Sequence, residues 1–220
     1  MAQRVRVTFA KEGPLRWVAH LDMMRTWERT IRRAVLPLSY SQGYSPHAKI
    51  ALAAPLPVGV SGTAELVDIW LDDALPLDEV ARQLRQVMPP GLSVSSIEQV
   101  PDSLPAMQAC LRAARYEVRF PAGAVDPSAV ASAVGDLLAR DSVEWEEQRG
   151  ERVRKYDLRA TILDLTAREE SDVAVIDMHL SLEEGRTGRP AQVLKALGVD
   201  ADPSEIVRRA IEFSEAATAA

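Results

Sequence analysis

Apolar and polar positions alternate from 4 to 10 (RVRVTFA), with Val5, Val7 and Phe9 on one face and Arg4, Arg6 and Thr8 on the other. That spacing predicts a strand with one buried face. The period then lengthens. Leu21, Met24, Trp27, Ile31 and Val35 recur at helical spacing between about 19 and 36 until Pro37 stops them, which predicts an amphipathic helix. A loop over 37–48 leads to a short apolar run at 49–54 and the turn PLPVG, an edge strand and its exit. Alternation returns at 64–72 (AELVDIWLD), a helix is expected over 77–88 before Pro89, Pro90 and Gly91, and a weaker strand over 92–99. The order βαββαβ is that of a ferredoxin-like sandwich.

Pro101 to Pro105 marks a boundary, with room for a short helix over 105–113. Beyond it the pattern predicts a strand at 116–120, a helix over 127–140, a strand near 142–148, a long strand over 153–165, another at 173–182, and helices over 190–197 and 203–214. Pro190 and Pro203 suit the first position of a helix. The expected fold class is α+β: a ferredoxin-like domain over 1–100, a linker over 101–115, and a second, related α+β domain over 116–220.

Composition narrows the function more than the fold. With 26 basic and 32 acidic side chains the formal charge is −6, which argues against a protein that coats nucleic acid uniformly. Residues 1–50, however, hold nine basic side chains against Glu12, Asp22 and Glu28, a local +6. An anionic partner belongs in this first quarter. Cys110 is the single cysteine, which excludes an internal disulfide, a multi-cysteine zinc site and a cluster held by several thiolates; a buried thiol is the expectation. No cofactor or metal site is expected. No apolar run is long enough to span a membrane and the N-terminus does not read as a signal peptide, so a cytoplasmic protein without a membrane partner is expected.

Two neighbouring segments carry the best candidate chemistry. Arg25, Arg29, Arg32 and Arg33 fall on the helix face opposite its apolar stripe, where they are either a solvated surface or a phosphate-binding one. The loop after that helix gathers Tyr40, Gln42, Tyr44 and His47 and ends in Lys49. Aromatic, amide and basic side chains together suit stacking on unpaired bases and contact with phosphates. A second reading makes His20 and His47, with Tyr40 or Lys49, an acid–base set for metal-independent RNA cleavage.

The second half offers less. Lys155, Asp157 and Arg159 alternate with apolar neighbours and are expected on one polar sheet face with His179, Arg159 near His179 and Thr161 near Asp177. That face is a solvated surface, a seam or a ligand site. Gly185 to Arg189 leads into a helix at Pro190, so Arg186 and Arg189 with free backbone N–H groups form a candidate anion cradle, or a plain connector. There is no dinucleotide fingerprint, metal-binding helix or serine nucleophile elbow.

The stretch from Lys11 to Asp68, with its GPLRWVAHLDMMRTWERTIRRAVLPLSYSQGYSPHAKI core, resembles an uncharacterised bacterial family, the radical SAM-linked proteins. KYDLR at 155–159 and GRPAQVLKALG at 188–198 resemble it too. The resemblance implies an accessory or substrate-presenting role beside a radical SAM enzyme. With one cysteine this chain lacks the three-cysteine cluster motif, so that enzyme is a separate polypeptide. In strand order the first half is also similar to the RNA-binding domains of CRISPR repeat-processing endoribonucleases, a likeness of fold that assigns no chemistry. The expectations are therefore an RNA-binding or substrate-docking accessory protein, with RNA modification as its setting; an endoribonuclease; or a protein adaptor that binds no RNA.

Overall fold

A computed structural model describes residues 2–150 and 152–215. The chain divides into two compact units, one of residues up to 111 joined by the C-terminal residues from 213, the other of residues 112–212. Both are α+β with predominantly antiparallel strands, and four α-helices occur among the described residues.

The first unit runs β1 (Gln3–Lys11), α1 (His20–Arg33), β2 (Ile50–Leu52), β3 (Ser61–Leu71), α2 (Leu77–Val87) and β4 (Leu92–Val100), with a 3-10 turn over Gly13–Trp17 before α1. β1 pairs antiparallel with both β3 and β4, and β2 with β3, giving the order β4-β1-β3-β2. The alternation read from the sequence is the one used. Val5, Val7 and Phe9 of β1 and Val67, Ile69 and Leu71 of β3 face Met23, Trp27 and Ile31 of α1 and Val80 and Leu84 of α2. Phe9 meets Trp27 edge to face, ring centroids 4.9 Å apart.

The opposite sheet face holds charge and is buried. Arg6 lies directly across from Asp68 and Arg4 from Trp70. Asp68 is fully buried and accepts from Arg4 Nε at 3.0 Å and Nη2 at 2.6 Å, and from Arg6 Nε at 2.9 Å and Nη2 at 3.1 Å. The chain leaving β4 closes over them: Arg4 Nη1 donates to the Leu104 carbonyl at 2.7 Å, and Trp70 Nε1 donates to Asp102. Cys110 is buried as expected. The segment expected as a helix over 105–113 makes only a 3-10 turn at Met107–Cys110.

The second unit continues with β5 (Leu111–Arg119), α3 (Pro127–Leu138), β6 (Glu144–Arg149), β7 (Arg152–Asp157), β8 (Ile162–Glu170), β9 (Val173–Glu183), β10 (Arg186–Thr187), α4 (Pro190–Ala196) and β11 (Glu205–Phe213). β9 is central, pairing with β5 on one edge and with β8 and β10 on the other, and β11 lies beside β5. This order does not repeat that of the first unit. Asp126 caps α3 by accepting from the Ser128 N–H, and Pro127 fills the first helical position; Pro190 starts α4 as expected, whereas Pro203 leads into the strand β11.

Two expectations fail here. The helix over 203–214 is the strand β11: Ile206, Val207, Ile211 and Phe213 are β-branched or aromatic, and the edge of β5 offers their backbone a partner. The long strand over 153–165 is broken at Leu158, which takes a helical conformation before a 3-10 turn over Arg159–Thr161. Asp157 makes the break, its Oδ1 accepting from the N–H of Val143 at 2.8 Å and of Arg159 at 2.9 Å. β7 therefore pairs with β6 in a separate ribbon, and β8 alone pairs with β9 through a two-residue turn at Ser171 and Asp172, both with positive φ.

Candidate nucleic-acid interface

The first fifty residues hold nine basic side chains, but burial removes three of them from any surface. Arg4 and Arg6 are held on Asp68, and Lys11, also buried, donates to the Val18 carbonyl at 2.8 Å. What stays outside is concentrated on α1 and the loop after it. Arg25, Arg29, Arg32 and Arg33 are all exposed, with Arg32 and Arg33 in the last turn, where the helix dipole favours cations. Arg25 shares an exposed i,i+3 ion pair with Asp22 at 2.8 Å, a contact weak enough to be given up to a phosphate. Arg33 differs from the other three, because its guanidinium donates to the Val87 carbonyl at the end of α2.

Residues 39–49 form a small hairpin. Tyr40 bridges Ala48, the Ser41 N–H donates to the His47 carbonyl at 2.8 Å, and the Lys49 N–H donates to the Ser39 carbonyl at 2.9 Å. The root is tied to β3, since the Ser39 N–H donates to the Trp70 carbonyl at 2.8 Å. The tip faces water: Gln42, Gly43, Tyr44, Ser45, Pro46 and His47 are exposed, and Tyr44 is as accessible as in an extended peptide. Half-buried Tyr40 joins this hairpin to the helix, its hydroxyl lying 3.4 Å from Glu28 Oε1. Glu28 sits between Arg25, Arg29 and Arg32 in sequence. The structure thus sets the tyrosine hairpin beside the arginine helix, and Lys49 at the end of the same hairpin is exposed as well.

The two histidines are not gathered. His47 is on the exposed hairpin, whereas His20, the first residue of α1, lines a small cavity with Lys11, Glu65, Phe9, Met23 and Leu52. That cavity, about 20 Å³, has room for roughly one water molecule. Lys11 and Glu65 were not singled out as site residues from the sequence; their strands read as ordinary alternation. The one local signal is Gly62, where a Cβ would fall 2.5 Å from Glu65 Oε1, so glycine there leaves room for that carboxylate.

In the second unit the expected polar face has a different membership. Lys155 is on the β6–β7 ribbon, ion-paired to Glu146, Asp157 caps the break, and Arg159 donates to the carbonyls of Ile162 and Leu138. None of the three shares a face with His179. His179 is flanked instead by Arg115 and Asp164, and the next row is Glu117, Asp177 and Thr166, because the β8–β9 register begins beyond the break. A hollow of about 240 Å³ lies there, lined by Arg115, Asp164, Asp177, His179 and Arg209. Its charges are internally matched: Glu212 accepts from Arg115 at 2.8 Å and is 3.0 Å from His179 Nε2, and Arg168 pairs with Asp177 at 2.6 Å. Burial raises the Glu117 carboxyl, but hydrogen bonds and charge from Arg209 and Arg119 outweigh it and hold the group below the ordinary carboxylate range.

The loop over 185–189 makes no open cradle. Arg186 donates to the Ala160 carbonyl at 2.8 Å, Arg189 pairs with Glu147, and the Gly188 N–H already donates to the Ser181 carbonyl. A Cβ at Gly188 would come within 2.9 Å of Thr161 Oγ1, so this glycine serves close packing. Among the described residues no group of three or more His, Cys, Asp or Glu side chains is placed to hold a metal ion. No described helix is long and apolar enough to cross a membrane.

A family model described as an uncharacterized protein conserved in bacteria, DUF2344, matches residues 4–190. The chain belongs to this family. No curated protein matches it. Among solved structures, this DUF2344 chain is similar in trace to a chain of a Cbf5-Nop10-Gar1 complex, with 14% identity, 94% of this chain and 48% of that one covered, and a TM-score of 0.49. A chain of an archaeal box H/ACA sRNP Nop10-Cbf5 complex gives 15%, 93%, 46% and 0.44, and an unknown protein from Galdieria sulphuraria 13%, 90%, 88% and 0.29. The chain spans about half the length of the first two. The function of this DUF2344 chain is read from its own side chains.

Proposed function

We propose that this chain is a non-catalytic accessory protein that binds RNA, or docks an RNA substrate, for a separate radical SAM enzyme, in the setting of RNA modification. Arg25, Arg29, Arg32 and Lys49 contact phosphates, while Tyr44, Gln42 and His47 contact bases. Arg33 adds charge at the edge of the site. The observation that carries this reading is the pairing of two exposed features, arginine helix and tyrosine hairpin, through Tyr40 and Glu28. A solvated helix face needs no such neighbour. The first unit is taken to be ferredoxin-like, on the support of its element order and its β4-β1-β3-β2 sheet. The radical SAM partner rests on the family resemblance of Lys11 to Asp68, and these 220 residues, with one cysteine, do not themselves supply the ligands of the cluster.

Titration against an unstructured RNA at several salt concentrations tests the site. Four phosphate contacts give a slope of log affinity against log salt of about −3 for a single strand. Replacing Arg25, Arg29 and Arg32 together by glutamate abolishes binding and leaves the circular dichroism unchanged. Unaltered binding removes the site. Absence of binding even at low salt, with a partner protein still co-purifying after ribonuclease treatment, replaces RNA binding by the adaptor role.

A further inference from the structure

Trp17 is out of place for a tryptophan. It is 61% exposed, whereas Trp27 is wholly buried in the core and half-buried Trp70 is tied by its indole N–H to Asp102. An indole carries more apolar surface than almost any other side chain and is normally covered. Trp17 is nevertheless firmly placed. It ends the 3-10 turn Gly13–Trp17, the Arg16 carbonyl beside it accepts from the Gly59 N–H at 2.8 Å, and a Cβ at Gly59 would fall 3.0 Å from the ring. Gly59 has φ +87°, a conformation few other residues hold, so the indole rests against bare backbone. The Arg16 guanidinium lies over the ring, 5.1 Å from its centroid.

The surroundings indicate what the ring faces. Leu21, 69% exposed, follows in the first turn of α1, and Arg25, Arg29 and Arg32 continue from it toward the end of the helix. At 1.5 Å per residue, Leu21 to Arg32 spans about 16 Å. An exposed aromatic platform therefore precedes a line of cations, and another exposed aromatic, Tyr44, stands on the hairpin beside that line. Planar apolar surface on the turn before α1 and on the hairpin after it, with the exposed cations of α1 between them in sequence, complements a polyanion whose bases are free to stack. A duplex satisfies the cations and leaves the indole uncovered, because its bases are already stacked.

Building on the RNA-binding reading above, we propose that Trp17, backed by Gly59 and accompanied by Arg16, is a base-stacking platform that makes the site selective for unpaired RNA. Alanine at such a platform weakens binding roughly 5- to 150-fold per base.

The test compares an oligoadenylate with an RNA duplex of equal length on the full chain, by anisotropy and by tryptophan emission. Quenching of tryptophan emission by oligoadenylate is expected in the wild type; Trp17→Ala is expected to lose roughly 5- to 150-fold for the single strand, to change duplex binding little, and to abolish that quenching. Trp17→Phe, which keeps a ring, is expected to recover most of the single-strand affinity and guards against a folding artefact. Equal oligoadenylate affinity of wild type and Trp17→Ala overturns the stacking proposal and leaves the arginine site standing. A Trp17→Ala loss that is the same for duplex and single strand also overturns it. A wild type that binds neither RNA overturns both, and the exposed Trp17 ring is then a protein contact.

Discussion

Replacing Asp68 by alanine should cost this protein a large share of its stability while leaving the proposed RNA site untouched. The carboxylate is completely buried, and the side chains of Arg4 and Arg6 that it holds are only 3% and 8% exposed. Four hydrogen bonds of 2.6 to 3.1 Å converge on its two oxygens. Removing the acid takes from both guanidiniums the carboxylate they share, and breaking a buried pair costs about 3–5 kcal/mol. Arg4 keeps the Leu104 and Pro105 carbonyls, at 2.7 and 3.3 Å, so the lower part of that range applies. Urea unfolding reads the loss as a fall in midpoint at constant slope. A loss below about 1 kcal/mol would refute the burial argument, since it would mean that both guanidiniums reach water on their own. The companion variant Arg4→Met, Arg6→Met, Asp68→Leu removes all three charges and should recover most of the stability, because buried ion pairs contribute little net over apolar groups of similar volume. Neither variant should change the salt slope of RNA binding.

Val35, which follows the C-cap residue Ala34 of α1, has φ +59° although it is β-branched, and it is 83% exposed, so its side chain gains little from packing there. Relief of the left-handed strain, about 1–2 kcal/mol, exceeds the entropy glycine adds to the unfolded chain, and Val35→Gly should raise the thermal midpoint; a lower midpoint would contradict this. Glu117 accepts from Arg119, Arg209 and Arg168 at 2.8, 2.8 and 3.1 Å. With its folded pKa below the unfolded one, its contribution is present above the ordinary carboxylate range and is lost as the pH falls through the folded value. Glu117→Gln should be less stable at neutral pH and show a shallower loss on acidification; parallel curves would count against the assignment.

The first half was legible because its core obeys one period per element. Val5, Val7 and Phe9 face inward at every second residue, Trp27 and Ile31 at helical spacing, and Pro37 and the run from Pro89 to Gly91 mark the helix ends. The second half was harder, since its decisive features are not periodic. Asp157 breaks a strand by capping two backbone N–H groups, one of them Val143, fourteen residues back in sequence, and no spacing rule reports that. Residues 205–213 carry enough alanine, arginine and glutamate to read as helix, and pairing in the sheet, with β5 among its neighbours, decides for a strand. For the site, residue type was readable and burial was not. Arg4, Arg6 and Lys11 look from the sequence like Arg25 and Arg29, yet the first three are inside. Trp17 is the converse case: a tryptophan beside a helix start has the composition of core, and only the fold shows it to be exposed.

The hairpin over 39–49 is fastened at its base and free at its end, and this has a consequence for conformational entropy. The Ser41 and Lys49 amides are bonded across the two arms, so the chain direction at the tip is set before any ligand arrives. Ordering a fully flexible residue costs about 1–2 kcal/mol, and that cost is confined here to the few residues of the tip instead of all eleven of the loop. Gln42 to Pro46 are left to adapt to a ligand while the root stays fixed. If the proposed RNA site is correct, recognition by such a finger tolerates sequence variation in the strand it meets and favours rapid exchange over long residence.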